Sequence, residues 1–132
     1  MMFDWEDYFK LAKLLCESKS ADLSGVEDAR FRSAASRAYF STYCLARNMA
    51  KHYLNFNSDL RANHAALIAF YKRSRDRKLQ QIGLWLERLR GWRNKCDYDD
   101  HVENAAKLAA SSLHVAQRII DSLKQIQVAL YH

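Results

Sequence analysis

Proline is absent from this 132-residue chain, and glycine occurs only three times. Sheet proteins of this length need more turn punctuation than that, which argues against a β-sandwich or barrel and for long helices with few breaks. Long hydrophobic runs are also missing. No stretch approaches the roughly eighteen apolar residues of a membrane span, so none is expected. The stretch Met1-Met2-Phe3-Asp4-Trp5-Glu6-Asp7 is acidic and not continuously apolar. No secretory leader is therefore expected, and a cytoplasmic location is. The three cysteines, Cys16, Cys44 and Cys96, are odd in number and widely separated. They fit reduced, buried thiols better than a disulfide framework or a zinc site. His52, His64, His101, His114 and His132 lack the close pairing of metal ligands, and there is no His-Glu-x-x-His. A glycine-rich phosphate loop and a Gly-x-Ser-x-Gly turn are missing too, so no metal or cofactor is expected.

Charge is plentiful and unevenly placed. The net charge is +6. From Met1 to Asp28 there are seven acidic residues against three basic, and from Arg61 to Lys95 ten basic against two acidic. Such an asymmetry suggests a positive face offered to a polyanion, although a solvated helix surface would look the same.

Five helices are predicted, packed as an up-and-down all-α bundle in one domain, residues 1–132. The first runs roughly from Trp5 to Glu17, with Asp4 as N-cap. Ser24-Gly25-Val26-Glu27 has the form of a capping box opening a long second helix to about Leu54. Its inward stripe is Phe31, Ala35, Ala38, Thr42, Leu45 and Met49. A second, polar stripe is Arg30, Ser33, Arg37, Ser41, Cys44 and Asn48. Asn55-Phe56-Asn57-Ser58-Asp59 breaks the pattern. A short helix covers Ala62 to about Lys72, and Asp76 caps a fourth that ends near Cys96. Asp100 with Glu103 reads as a second capping box, starting a last helix. That helix has the seam Val102, Ala106, Ala109, Leu113, Ala116, Ile120, Leu123, Gln127 and Leu130.

Within the fourth helix Leu79, Ile82, Leu86, Leu89, Arg93 and Cys96 recur at alternating spacings of three and four, which makes one buried stripe. Arg93 sits where a leucine belongs. A guanidinium there must be paired or must reach a cleft. Asp97 lies one turn on, followed by Tyr98, Asp99, Asp100 and His101. Two readings stand: an Arg93–Asp97 pair that sets helix register, or a phosphate-binding or catalytic site. In metal-free phosphodiester chemistry an arginine stabilises the developing charge and an imidazole moves the proton. Arg93 suits the first task, and His101 is the nearest imidazole in sequence. The run Lys72-Arg73-Ser74-Arg75-Asp76-Arg77-Lys78 holds five cations in seven residues at a helix junction, where they can meet phosphates without burial. Tyr39, Phe40 and Tyr43 read as core or dimer-interface aromatics, and Trp85 and Trp92 as packing residues.

Three segments together resemble the HEPN domain (higher eukaryotes and prokaryotes nucleotide-binding), in its small prokaryotic branch with an Arg-x-x-x-Asp-Tyr signature. They are Ser36-Arg37-Ala38-Tyr39-Phe40 inside the long helix, Asn63-His64 opening the short one, and Arg93-Asn94-Lys95-Cys96-Asp97-Tyr98-Asp99 closing the fourth. The resemblance spans about Glu6 to Ile126. It implies a homodimeric helical bundle that binds RNA or a nucleotide, in a prokaryotic toxin–antitoxin or phage-defence setting. Many members are metal-independent ribonucleases, and some pair with a nucleotidyltransferase antitoxin. In catalytic members a histidine follows the arginine after four to six residues. Here those positions hold Tyr98, Asp99 and Asp100, and His101 falls one beyond. The expected function is therefore an RNA- or nucleotide-binding module with a degenerate catalytic motif. Its groove would be lined by Arg37, Arg93 and the cations Lys72, Arg73, Arg75, Arg77 and Lys78, with Asp97 orienting Arg93. An active ribonuclease, with Arg93 assisted by His101 or Tyr98, and a module that docks a protein partner are the alternatives.

Overall fold

The computed structural model describes residues 2–57 and 63–131, and in these it is all helical. The helices are α1 (Asp7–Glu17), α2 (Glu27–Tyr53), α3 (His64–Lys72), α4 (Arg77–Tyr98) and α5 (Ala105–Tyr131), with a 3₁₀ turn at Ala21–Leu23. No helix among the described residues is long and apolar enough to cross a membrane. Ser58, Asp59 and Ala62, the expected break and the expected start of the third helix, lie outside the described residues.

The α2 helix is the central element. It packs against α1, α4 and α5, while α3 lies on α4. Its alanines explain how three neighbours fit: Ala34, Ala35, Ala38, Ala46 and Ala50 are all buried, so adjacent helices approach the α2 backbone closely. The expected inward stripe is buried at Ala35, Ala38, Thr42 and Met49. Of the polar stripe, Ser33 is exposed, Arg30, Arg37 and Asn48 are half-buried, and Ser41 and Cys44 are completely buried. Ser41 satisfies its hydroxyl by donating to the Trp5 carbonyl at 2.9 Å, which ties the N-terminal turn to α2. Leu67, Ile82, Leu86, Leu89, Ile119 and Ile120 are fully buried around this axis. Each such side chain contributes on the order of 1.5–3 kcal/mol of transfer free energy.

Helix ends show where local signals held. Asp76 caps α4 by accepting from the Lys78 and Leu79 amides at 2.8 and 3.2 Å. Asn63 caps α3 by accepting from the Ala66 amide at 2.9 Å. Asn55, in a left-handed conformation at φ 58°, closes α2, and the Phe56 amide turns back to the Ala50 carbonyl at 3.0 Å.

Other ends differ from expectation. Asp4 accepts from the Glu6 amide at 3.0 Å, which forms a separate turn, so α1 begins at Asp7. At α2 the reciprocal capping box does not form: Glu27 reaches back to Gly25 rather than to Ser24, and no side chain caps the helix start. Gly25 adopts φ +87° and presents its own amide to Glu27 Oε1 at 3.0 Å, while Ser24 caps the preceding 3₁₀ turn through its backbone. The Asp100–Glu103 box does not start α5. Asn104 does so instead: its side-chain carbonyl accepts from the Lys107 amide at 3.2 Å. Ala105 rather than Ala106 faces inward. The α5 seam then holds from Ala109 to Leu123, and Gln127 and Leu130 are exposed.

Two arginines of α2 bind the C-termini of its neighbours. Arg30 Nη1 donates to the Leu15 and Cys16 carbonyls at 2.6 and 3.2 Å. Arg32 donates to the carbonyls of Cys96, Asp99 and Asp100, the shortest at 2.6 Å. Both satisfy carbonyls that the helix geometry leaves free, where the negative end of the helix dipole favours a cation.

Candidate functional site

The buried stripe of α4 is as predicted, and Arg93 breaks it as predicted. Ile82, Leu86, Leu89 and Cys96 are buried, and the Arg93 side chain is only 17% exposed. Arg93 points to a cleft of about 220 Å³ lined by Ser36, Arg37, Tyr39, Phe40, His64, Arg93 and Asp97. All seven come from the three segments that carry the resemblance.

Each lining group is positioned by its own element. The α2 helix supplies Ser36, Arg37, Tyr39 and Phe40 from about one turn. The Arg37 guanidinium lies 4.9 Å from the Phe40 ring centre and 5.3 Å from that of Tyr8, which fixes it at the rim. Arg93 lies over the Tyr39 ring at 5.1 Å. Asp97 follows one turn later, and its Oδ2 lies 3.8 Å from Arg93 Nη1 and accepts from Ser36 Oγ at 3.2 Å. At 3.8 Å the ion pair is loose, and Arg93 Nε is buried without a partner. Arg90, one turn before Arg93, likewise has a buried, unpartnered Nε. The register pair and the cleft-facing cation are thus the same residue: Asp97 holds Arg93 in place without consuming all its donors.

The imidazole that shares the cleft is His64, at the first turn of α3. Its Nδ1 lies 2.6 Å from the Tyr39 hydroxyl, and its ring stacks on Tyr43 at 3.9 Å. Burial, and then the positive fields of Arg93 and Arg90, push its pKa down to about 4. Burial pushes the Tyr39 phenol up to about 12, although the positive charges of Arg90 and Arg93 pull the other way. At neutral pH both rings are therefore uncharged. The Tyr39 hydroxyl and His64 Nδ1 share one hydrogen bond, in which the donor follows from the imidazole tautomer.

The other expected site residues fall elsewhere. Tyr98 is 73% exposed, and neither it nor His101 lines the cleft. Five residues past Arg93 correspond to about 140° around an α-helix, so Tyr98 faces outward. His101 lies beyond the end of α4, in the turn that Arg32 holds by the Asp99 and Asp100 carbonyls. Arg73, Arg75, Arg77 and Lys78 are exposed at the other end of α4, and Lys72 is paired with Glu87 at 2.7 Å. Arg77 and Arg93 are sixteen residues apart on one helix, about 24 Å along its axis. The single groove expected from Arg37, Arg93 and the basic run is therefore two places: Arg37 and Arg93 meet, and the run does not join them.

Sequence reasoning named His64 only as the opener of a helix. Its partners, Tyr39 and Arg93, are 25 and 29 positions away, and no local spacing encodes those contacts. Among the described residues no group of His, Cys, Asp and Glu could hold a metal ion. Family models, curated proteins and solved structures were compared with the chain, and none matches it.

Proposed function

We propose that the chain is an HEPN-like RNA- or nucleotide-binding module, and that the cleft between α2, α3 and α4 takes a phosphate group. One observation carries this reading: the guanidinium side chains of Arg37 and Arg93 converge on one small cleft, and the Arg93–Asp97 pair is loose at 3.8 Å. A loosely paired guanidinium keeps donors for an anion, and its charge-assisted hydrogen bonds to a phosphate are strong. His64, held neutral, adds a polar ring and no competing charge. Asp97 opposes an anion, but its Oδ2 is already engaged by Ser36 and Arg93. Phe40 and Tyr39 give the cleft apolar walls beside the cations.

Calorimetric titration with adenosine 5′-monophosphate and with inorganic phosphate tests the reading. Binding by the wild type that Arg37→Ala and Arg93→Ala each weaken at least tenfold is expected. Equal binding by all three proteins contradicts it.

A second reading, a metal-independent ribonuclease, is favoured by one feature: a guanidinium and an imidazole share the cleft. In that case His64 takes the place that spacing gave to His101 or Tyr98. Against it, a base is most effective when its pKa lies near the working pH, and that of His64 lies well below. Cleavage of total RNA in EDTA, ending in a 2′,3′-cyclic phosphate and lost in His64→Ala and Arg93→Ala, would establish it.

A further inference from the structure

The outward face of α4 carries a feature that the cleft does not use. Arg77, Gln81, Leu84, Arg88, Gly91 and Lys95 are all exposed. Their spacings of four, three, four, three and four place them on one stripe, on the side of the helix opposite Arg93. The stripe is about 27 Å long at 1.5 Å per residue. Among the described residues no ion pair engages Arg77, Arg88 or Lys95. Glu87, the one acid in the span from Arg77 to Lys95, is turned aside to Lys72 of α3 at 2.7 Å.

Gly91 is the unexplained member. It lies inside a helix at an ordinary φ, and a Cβ added there would meet nothing within 4 Å. No neighbour in the chain requires it. Glycine in a helix interior is unfavourable relative to alanine, and its one local benefit is to let another backbone come close. Gly83 on the same helix shows what such a requirement looks like. There an added Cβ would lie 2.6 Å from the Lys72 amide nitrogen of α3.

We propose that the outward face of α4 is a second RNA-contacting surface, separate from the Arg93 cleft. It holds the phosphodiester backbone through Arg77, Arg88 and Lys95, with closest approach at Gly91. This deepens the reading of the cleft and rests on it for the choice of RNA: the bound species is a strand long enough to follow a helix, not a lone nucleotide. Charge selects the occupant. A second copy of the chain seated symmetrically on this face would set Arg88 and Lys95 against the same cations, whereas a polyphosphate meets them with the opposite sign. Each phosphate contact releases condensed counterions, so the surface makes binding fall with salt.

The test measures the binding of a fluorescein-labelled mixed-sequence RNA by anisotropy across a range of salt concentrations. Arg88→Glu with Lys95→Glu is the first variant, and Gly91→Ala the second. DNA of the same sequence, polyglutamate and adenosine 5′-monophosphate are the other ligands. Thermal melts confirm that each variant folds. The charge reversal is expected to weaken RNA binding at least tenfold and to flatten the logarithmic salt dependence by about 1.4, two contacts at about 0.7 each. It is expected to leave binding of the monophosphate unchanged. Gly91→Ala is expected to raise the unfolding temperature yet weaken RNA binding several-fold. DNA of the same sequence, which offers the same phosphates, is expected to lose affinity in the charge reversal as RNA does, and polyglutamate is expected not to compete.

Wild-type RNA affinity and salt slope in the charge reversal overturn the proposal, as does Gly91→Ala binding RNA as tightly as the wild type. RNA binding that is absent while the monophosphate still binds also overturns this surface and leaves the cleft reading standing. Monophosphate binding that is absent while the charge reversal still abolishes RNA binding supports the surface and removes the cleft. Polyglutamate that displaces RNA, or a wild-type dimer that Gly91→Ala dissociates, assigns the face to a protein and overturns the proposal.

Discussion

Tyr39 and His64, twenty-five residues apart in the chain, are joined by a 2.6 Å hydrogen bond between the phenol oxygen and Nδ1. That bond links α2 to the first turn of α3, and Arg93 of α4 completes it from over the Tyr39 ring at 5.1 Å. Three helices therefore share one polar junction at the cleft, and several consequences can be measured.

The first concerns pH. The His64 pKa falls from 6.5 to about 4 in the folded chain. Between these values the unfolded chain binds a proton that the native chain does not, so acidification favours unfolding. His64 thus contributes stability that is present above about pH 6.5 and is lost progressively as the pH falls toward 4. Denaturant midpoints across this window should decline in the wild type and decline less in His64→Gln. Identical profiles would show that His64 is not held neutral.

Arg32 gives a second prediction. One guanidinium donates to the carbonyls of Cys96, Asp99 and Asp100, and its side chain is 18% exposed. Hydrogen bonds to a charged donor are worth about 1.5–3 kcal/mol, and the planar fork cannot be copied by a lysine. Arg32→Ala should lower stability by about 2 kcal/mol. Arg32→Lys should restore little of that, and amide exchange should rise in the last turn of α4. Unchanged exchange there would rule out the end-binding role.

The two buried-side and open-side glycines of α4 make a third, paired test. An alanine at Gly83 would place its Cβ 2.6 Å from the Lys72 amide nitrogen, backbone against backbone, so the α3–α4 contact must open. Gly83→Ala should destabilise by about 1–3 kcal/mol, the usual range for overpacking. Gly91→Ala has free space and should stabilise by about 0.5–1 kcal/mol. Equal signs from urea denaturation of the two variants would contradict this account of the packing.

A fourth prediction separates the two cationic regions. Neutralising Arg73, Arg75 and Arg77 should weaken RNA binding and reduce its salt dependence without altering monophosphate affinity, because Arg77 lies about 24 Å along α4 from Arg93 and none of the three lines the cleft. Loss of monophosphate binding in that variant would place the run and the cleft in one site.

The sequence disclosed its helices through local codes. The stripe from Leu79 to Cys96, the Asp76 cap and the Asn55 break are relations within one or two turns, and they formed as read. Capping boxes were less legible: Gly25 and Asn104 each adopt positive φ, and each moves the helix start by a few residues. Arg93 and Asp97 could be paired because four residues make roughly one turn. Spacing also suggested His101, but position along the chain does not give position around a helix end. What places His64 beside Arg93 is the packing of α3 on α4, and that depends on Gly83 and on buried Leu67 and Tyr71, far from the residues it brings together. Arg30 looked like a member of a polar stripe, and Arg32 had no local pattern that singled it out. Their carbonyl partners on other helices exist only after folding.

Isotope-edited NMR of the Arg93 Nε–H and the His64 ring, during titration with adenosine 5′-monophosphate, tests the cleft most directly. The account predicts that the Arg93 Nε–H moves on binding and that the His64 pKa rises from about 4, since an anion offsets the field of Arg93 and Arg90. Saturable binding that leaves both signals unchanged would contradict it.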